Sequence, residues 1–151
     1  MANSPSPNPS GKILLVDDNA LGLAARRSVL VELGHRVQTA ANGVDALDLC
    51  GKHMFEVVVT DYKMPKMDGL ALIAELRKHY PAIAIVLISG FTDTLGLNEE
   101  TTGADVVLQK SNNEVSQLIR AVNRLLRKQH QPPKKPTGAQ LSAKAAKRGA
   151  R

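Results

Sequence analysis

Short apolar runs alternate with amphipathic stretches five times along this chain, which predicts an α/β fold: a doubly wound parallel sheet with helices on both faces. Two further observations agree. The apolar runs are near-continuous in Val, Ile and Leu, as strands buried on both sides must be, and Gly or Pro stands at the ends of several helical stretches.

The first strand is expected at Lys12 to Val16 and a helix from Ala20 to Leu33, with Leu23, Val29, Leu30 and Leu33 inward and Gly34 in the C-cap position. Arg36 to Ala40 is a weaker strand, Asn42 and Gly43 read as a turn, and Gly43 to Gly51 as a short helix. Phe55 to Thr60 is β-branched and apolar, hence a buried strand. Met67 to His79 is helical, with Leu70, Ile73, Ala74 and Leu76 on one side, and Pro81 blocks its continuation. Ile83 to Ser89 is the strongest strand, Thr92 to Thr102 a weak polar helix, and Asp105 to Gln109 a short strand. Asn112 to Lys128 closes the series as a long helix with Val115, Leu118, Ile119, Val122, Leu125 and Leu126 inward.

The 151 residues have room for one ordinary domain and tails. The expected division is an uncharged disordered segment at 1–10, a folded body at 11–128 and a basic disordered tail at 129–151. The net charge of +6 belongs to the tail: Met1 to Lys128 carries 14 basic and 14 acidic residues, and the last stretch adds six basic ones and no acid. A nucleic-acid groove on the body is therefore not expected. One cysteine, Cys50, excludes an intrachain disulfide and reads as a small buried hydrophobe. No run approaches the roughly 20 apolar residues needed to span a bilayer. The N-terminus also lacks the basic start and apolar centre of a secretory signal, so a soluble cytoplasmic protein is the expectation. The four histidines show no ligand spacing, so zinc is not expected.

Doubly wound sheets hold their ligands beyond the carboxyl ends of the strands. The first strand delivers Asp17 and Asp18 there, the third Asp61, the fourth Ser89 and Gly90, the fifth Lys110. Taken singly, each has an ordinary explanation: Asp18 as a helix N-cap, Ser89 as a turn residue, Lys110 as a solvated cation. Their joint arrival at one end of the sheet points to chemistry. Neighbouring strands lie about 4.8 Å apart, so the carboxylates must repel one another unless a cation offsets them. Mg²⁺ suits a site of few carboxylates, and with Lys110 it brings the three to neutrality. The same groups suit phosphoryl transfer, which rests on positioning and charge neutralisation, with Asp61 as a carboxylate nucleophile.

The stretches LLVDDN (Leu14 to Asn19), VVVTDYKMPKMDG (Val57 to Gly69), LISG (Leu87 to Gly90) and GADVVLQK (Gly103 to Lys110) resemble the receiver domain of bacterial response regulators, from about Gly11 to Lys128. The resemblance implies a flavodoxin-like sheet of order 2-1-3-4-5 and a chemotaxis-regulator-like single-domain receiver. It implies Asp61 as phosphoacceptor, served by a histidine kinase or phosphotransfer protein, and Mg²⁺ (Mn²⁺ as substitute) as the only cofactor. Asp18 would ligate the metal directly, Asp17 through water, and the Lys63 carbonyl and Asp61 would complete the protein's share. Lys110 would bind the phosphoryl oxygens, Ser89 would hydrogen-bond them, and Gly90 would leave access for donor or water. Pro65 would shape the following loop and Gly69 its tight turn. Two positions depart from the family: Val107 stands where an aromatic ring usually rotates inward, and Ser111 where a cis proline usually follows the lysine, so a trans peptide is expected.

The chain is thus expected to be a signalling domain and not an enzyme, catalysing only its own phosphorylation and dephosphorylation. Its output would pass through the fourth helix, fifth strand and fifth helix to an unknown protein target, as a monomer or a phosphorylation-dependent homodimer. A phosphorylation-independent binding scaffold is the alternative. A haloacid-dehalogenase-type phosphatase is disfavoured because Lys63 stands where the second, acidic Asp is needed.

Overall fold

The computed structural model describes residues 9–90 and 96–131. Five parallel strands form one sheet in the order β2-β1-β3-β4-β5: β1 Lys12–Val16, β2 Arg36–Ala40, β3 Val57–Asp61, β4 Ala84–Ser89 and β5 Val106–Gln109. The helices are α1 Ala20–Glu32, α2 Gly43–Lys52, α3 Gly69–His79, α4 Glu99–Thr102 and α5 Glu114–His130. Among the described residues no helix is long and apolar enough to cross a membrane. Of the expected fourth helix, 92–95 lie outside the described residues, as do 1–8 and 132–151 of the expected tails.

Alternation along the strands makes two cores. Ile13, Leu15, Val57, Val59, Val86 and Ile88 pack with Leu30 of α1 and Leu118, Val122, Leu125 and Leu126 of α5. Leu14, Val16, Val58, Ile85 and Leu87 pack on the other face with Ala46 and Cys50 of α2 and Leu72, Ile73 and Leu76 of α3. Cys50 is buried, and burial pushes its thiol up to about 11.

Several boundaries differ from expectation for identifiable reasons. Asn42 is not a turn residue but the N-cap of α2, accepting from the Asp45 amide at 2.8 Å. Asp68 caps α3 in the same way, so Met67 belongs to the preceding loop. On α3, Leu72 occupies the inward position assigned to Ala74, which is exposed. Val115 is 40% exposed, and α5 runs on to His130. The C-cap of α1 is Leu33, expected inward but exposed, and Gly34 follows it at φ +98, one residue beyond the cap position expected for it. At the outside of the sheet, the Val107 amide of β5 donates to Glu99 Oε2 of α4 at 2.9 Å.

Candidate functional site

Parallel register brings the expected residues to one end of the sheet. β1 and β3 are direct neighbours, with Val16 opposite Thr60, so Asp17 and Asp61 leave adjacent strands side by side. Asp61 is the last residue of β3, opposite Ile88, which places Ser89 one residue beyond it on β4. Ser89 pairs with Gln109, and the Lys110 amide donates to the Ser89 carbonyl at 3.0 Å.

Ligand atoms of Asp17, Asp18 and Asp61 all lie within 4.8 Å of one another. Asp17 and Asp61 are buried and Asp18 is exposed. The bland reading of Asp18 fails, because Asn19 is the α1 cap, its side chain accepting from the Gly22 amide at 3.1 Å. Lys110 Nζ lies 2.9 Å from Asp61 Oδ1. Burial raises the Asp61 carboxyl above its ordinary value against the Lys110 hydrogen bond, and the charge of Asp17 pushes the same way.

The loop after Asp61 is shaped by close backbone approach. A Cβ on Gly69 would sit 2.3 Å from the Asp61 carbonyl oxygen, and the Gly69 amide donates to the Tyr62 carbonyl at 2.7 Å. Only glycine fits where α3 begins against the end of β3. Lys63, Met64 and Pro65 line an open cleft with Asp18, Tyr62 and Asp68. Among the described residues, a Cβ on exposed Gly90 would meet nothing nearer than Lys110 Cδ at 4.0 Å. The Lys110–Ser111 peptide is trans, like every peptide among the described residues.

Two residues of the site were not anticipated. Arg26, in the middle of α1, is buried and bonds Asp17 Oδ2 through Nη1 at 2.8 Å. Its Nε donates to Glu114 Oε2 in the first turn of α5 at 2.9 Å. Burial pulls the guanidinium's pKa down, yet Glu114 and Asp17 together raise it above its ordinary value. The signal was present in the spacing, since Arg26 stands three residues after Leu23 and four before Leu30, in the apolar stripe of α1.

Among the described residues, the carboxylates of Asp17, Asp18, Asp61 and Glu114 outnumber the two cations bonded to them, Arg26 and Lys110, an excess that suits one divalent ion. All-oxygen donors of this kind suit Mg²⁺.

A 2-1-3-4-5 parallel sheet that gathers three carboxylates and a lysine at its carboxyl end defines the class of phosphoacceptor signalling domains. Residues 13–123 match the response regulator receiver domain family. The chain is 32% identical over 135 residues to the Gliding motility regulatory protein of Myxococcus xanthus, covering 83% of this chain and 17% of that protein. It is 34% identical over 123 residues to the Sensor kinase CckA of Brucella abortus, covering 80% of this chain and 13% of the kinase. The response regulator protein TrrA of Thermotoga maritima, solved in complex with Mg²⁺-BeF, superposes with a TM-score of 0.69 at 29% identity, covering 76% of this chain and 98% of that one. The chain belongs to the response regulator receiver domain family. It spans less than a fifth of the length of those two longer relatives. Receiver domains bind Mg²⁺ at an acidic pocket, and the cluster of Asp17, Asp18 and Asp61 fits that ion.

Proposed function

We propose that the chain accepts a phosphoryl group on Asp61 from a phosphohistidine of a partner kinase or phosphotransfer protein, and signals by contacts that depend on that modification. The observation that carries this reading is Asp61 itself. It is a buried carboxylate at the end of a central strand, bonded to Lys110 at 2.9 Å and grouped with Asp17 and Asp18.

In the transfer, an Asp61 oxygen bonds to phosphorus as the donor's N–P bond breaks, and the electron pair stays on the imidazole nitrogen. Attack of water on phosphorus later breaks the new O–P bond and releases inorganic phosphate. Lys110 binds the transferring oxygens, Ser89 donates to them, and Gly90 leaves access for donor or water. Mg²⁺, when bound, would neutralise the developing charge; Asp18, Asp61 and the Lys63 carbonyl would hold it, with Asp17 acting through water. Mn²⁺, which also takes oxygen ligands, substitutes. The chain acts only on its own carboxylate, in the cytoplasm where the kinase's phosphohistidine is made. The receiver unit is proposed to run from Gly11 to Lys128. Output passes through α4, β5 and α5 to a protein target, without the ring that Val107 replaces.

The test is intact mass after incubation with acetyl phosphate and Mg²⁺. One phosphoryl group is expected on the wild type, lost with EDTA and absent from Asp61→Asn. Equal uptake by Asp61→Asn, or no uptake by a wild type shown to bind Mg²⁺, sinks the assignment.

A further inference from the structure

Arg26 is the charged group to which phosphoryl transfer assigns no task. A guanidinium 6% exposed in the apolar stripe of a helix is costly unless its donors are met. Here Nη1 and Nε meet two carboxylates from two different elements, Asp17 at the end of β1 and Glu114 at the start of α5. The other Asp17 oxygen, Oδ1, accepts from the Asn19 amide at 3.0 Å. Both oxygens of Asp17 are thus engaged within the protein itself.

We infer that Arg26 is a resident counter-cation of the acid pocket: it holds and neutralises Asp17, opposes a divalent ion there, and is itself restrained by Glu114. Arg26 and Glu114 together then set how tightly the pocket takes Mg²⁺, which rests on the reading of Asp17, Asp18 and Asp61 as the cation site. The physical reason is proximity. A positive charge 2.8 Å from Asp17 Oδ2 repels a doubly charged ion beside the same carboxylate. Glu114, on the far arm of the guanidinium, cancels part of that repulsion. Arg26 is a positioning residue in this scheme, touching neither phosphorus nor its donor.

A simple brace between α1 and α5 makes a different prediction. Breaking a brace from either side lowers stability and does not tighten cation binding. A counter-cation gives opposite signs: removing Arg26 strengthens the pocket's pull on a divalent ion, and removing the Glu114 charge weakens it.

The experiment is calorimetric titration of the full chain with Mg²⁺ alone, with circular dichroism as the check of folding. Arg26→Met is expected to tighten Mg²⁺ by about tenfold or more and Glu114→Gln to weaken it several-fold. Arg27→Met, which removes the same charge from the exposed neighbouring position, is expected to change it little. Asp18→Asn should largely abolish binding. If Asp18→Asn abolishes binding but Arg26→Met fails to tighten it, Arg26 is only a brace and the cation site stands. If Asp18→Asn binds like the wild type, the ion is elsewhere and both readings fall. Should Arg26→Met not fold, Glu114→Gln decides: weaker binding supports the counter-cation, and unchanged or tighter binding overturns it.

Discussion

At the amino ends of the strands, Arg77 donates to the Gly103 carbonyl at 2.8 Å, the Ile83 carbonyl at 2.9 Å and Asp105 at 2.8 Å, while Asp105 also accepts from the Ile85 amide at 2.7 Å. The Gln129 side chain bridges the Glu56 and Ala82 carbonyls, and His130 meets the Glu56 carboxylate. At the carboxyl ends, 15–20 Å away by the length of a five- or six-residue strand at roughly 3.3 Å per residue, carboxylates crowd together and outnumber the cations, Arg26 and Lys110, that bond to them. One sheet thus keeps matched polar contacts at one end and mismatched charge at the other. The contacts of the first end tie α3 and α5 to the strand starts, and the carboxylates of the second suit a cation.

The largest effect is expected where the mismatched end is most tightly built. Gly69→Ala forces a Cβ against the Asp61 carbonyl. A loss of about 3 kcal/mol in urea unfolding is expected, with phosphoryl uptake falling as Asp61 is displaced; a fully active, equally stable variant would show that this approach is dispensable. Arg77→Met should cost about 2 kcal/mol by removing charge-assisted bonds from the matched end. Mg²⁺ affinity should not change, and a change would break the division of labour between the two ends.

Asp61→Asn should have the opposite sign. The folded-state Asp61 pKa is raised, so the folded chain binds that proton more tightly than the unfolded chain. Ionised Asp61 therefore costs stability above the ordinary carboxylate range, a cost relieved as pH falls toward it. In EDTA at neutral pH, the Asn variant should be on the order of 1 kcal/mol more stable, and a lower melting temperature would refute the account. The smallest effect belongs to His35, whose buried Nδ1 accepts from the Gly11 amide at 3.1 Å. Burial holds its pKa below 6.5, with Glu56 opposing. The unfolded chain then binds more protons, so this contribution is full above pH 6.5 and declines as pH drops from there toward the folded value. His35→Gln should flatten the slope of stability with pH across that window; an unaltered slope assigns it to another group.

The sheet was legible because strands buried on both faces are written as near-continuous Val, Ile and Leu runs, and Asp17, Asp61, Ser89 and Lys110 stand at the carboxyl ends of four of them. Arg26 and Glu114 were only half legible: spacing places Arg26 in the apolar stripe of α1, but which carboxylates meet it there depends on how β1 and α5 pack. The same tie accounts for Val115. With Glu114 turned inward to Arg26, the next residue is rotated about 100° away and lies 40% exposed. The start of α2 at Gly43 was legible, whereas that of α3 was placed two residues early because Asp68 serves as its cap, a role fixed by backbone angles and not by hydropathy.

β5 is the outermost strand on its side of the sheet, and its Val107 amide is satisfied by the Glu99 carboxylate. A bare edge strand is a template on which a second chain can add itself by backbone pairing, the first step of aggregation. An incoming strand at Val107 would have to displace a negative charge already bonded to the donor it needs, with Glu100 beside it adding repulsion. The opening turn of α4 thereby withdraws one outward donor of β5 from strand pairing, and a four-residue helix suffices for it because only the carboxylate's reach matters.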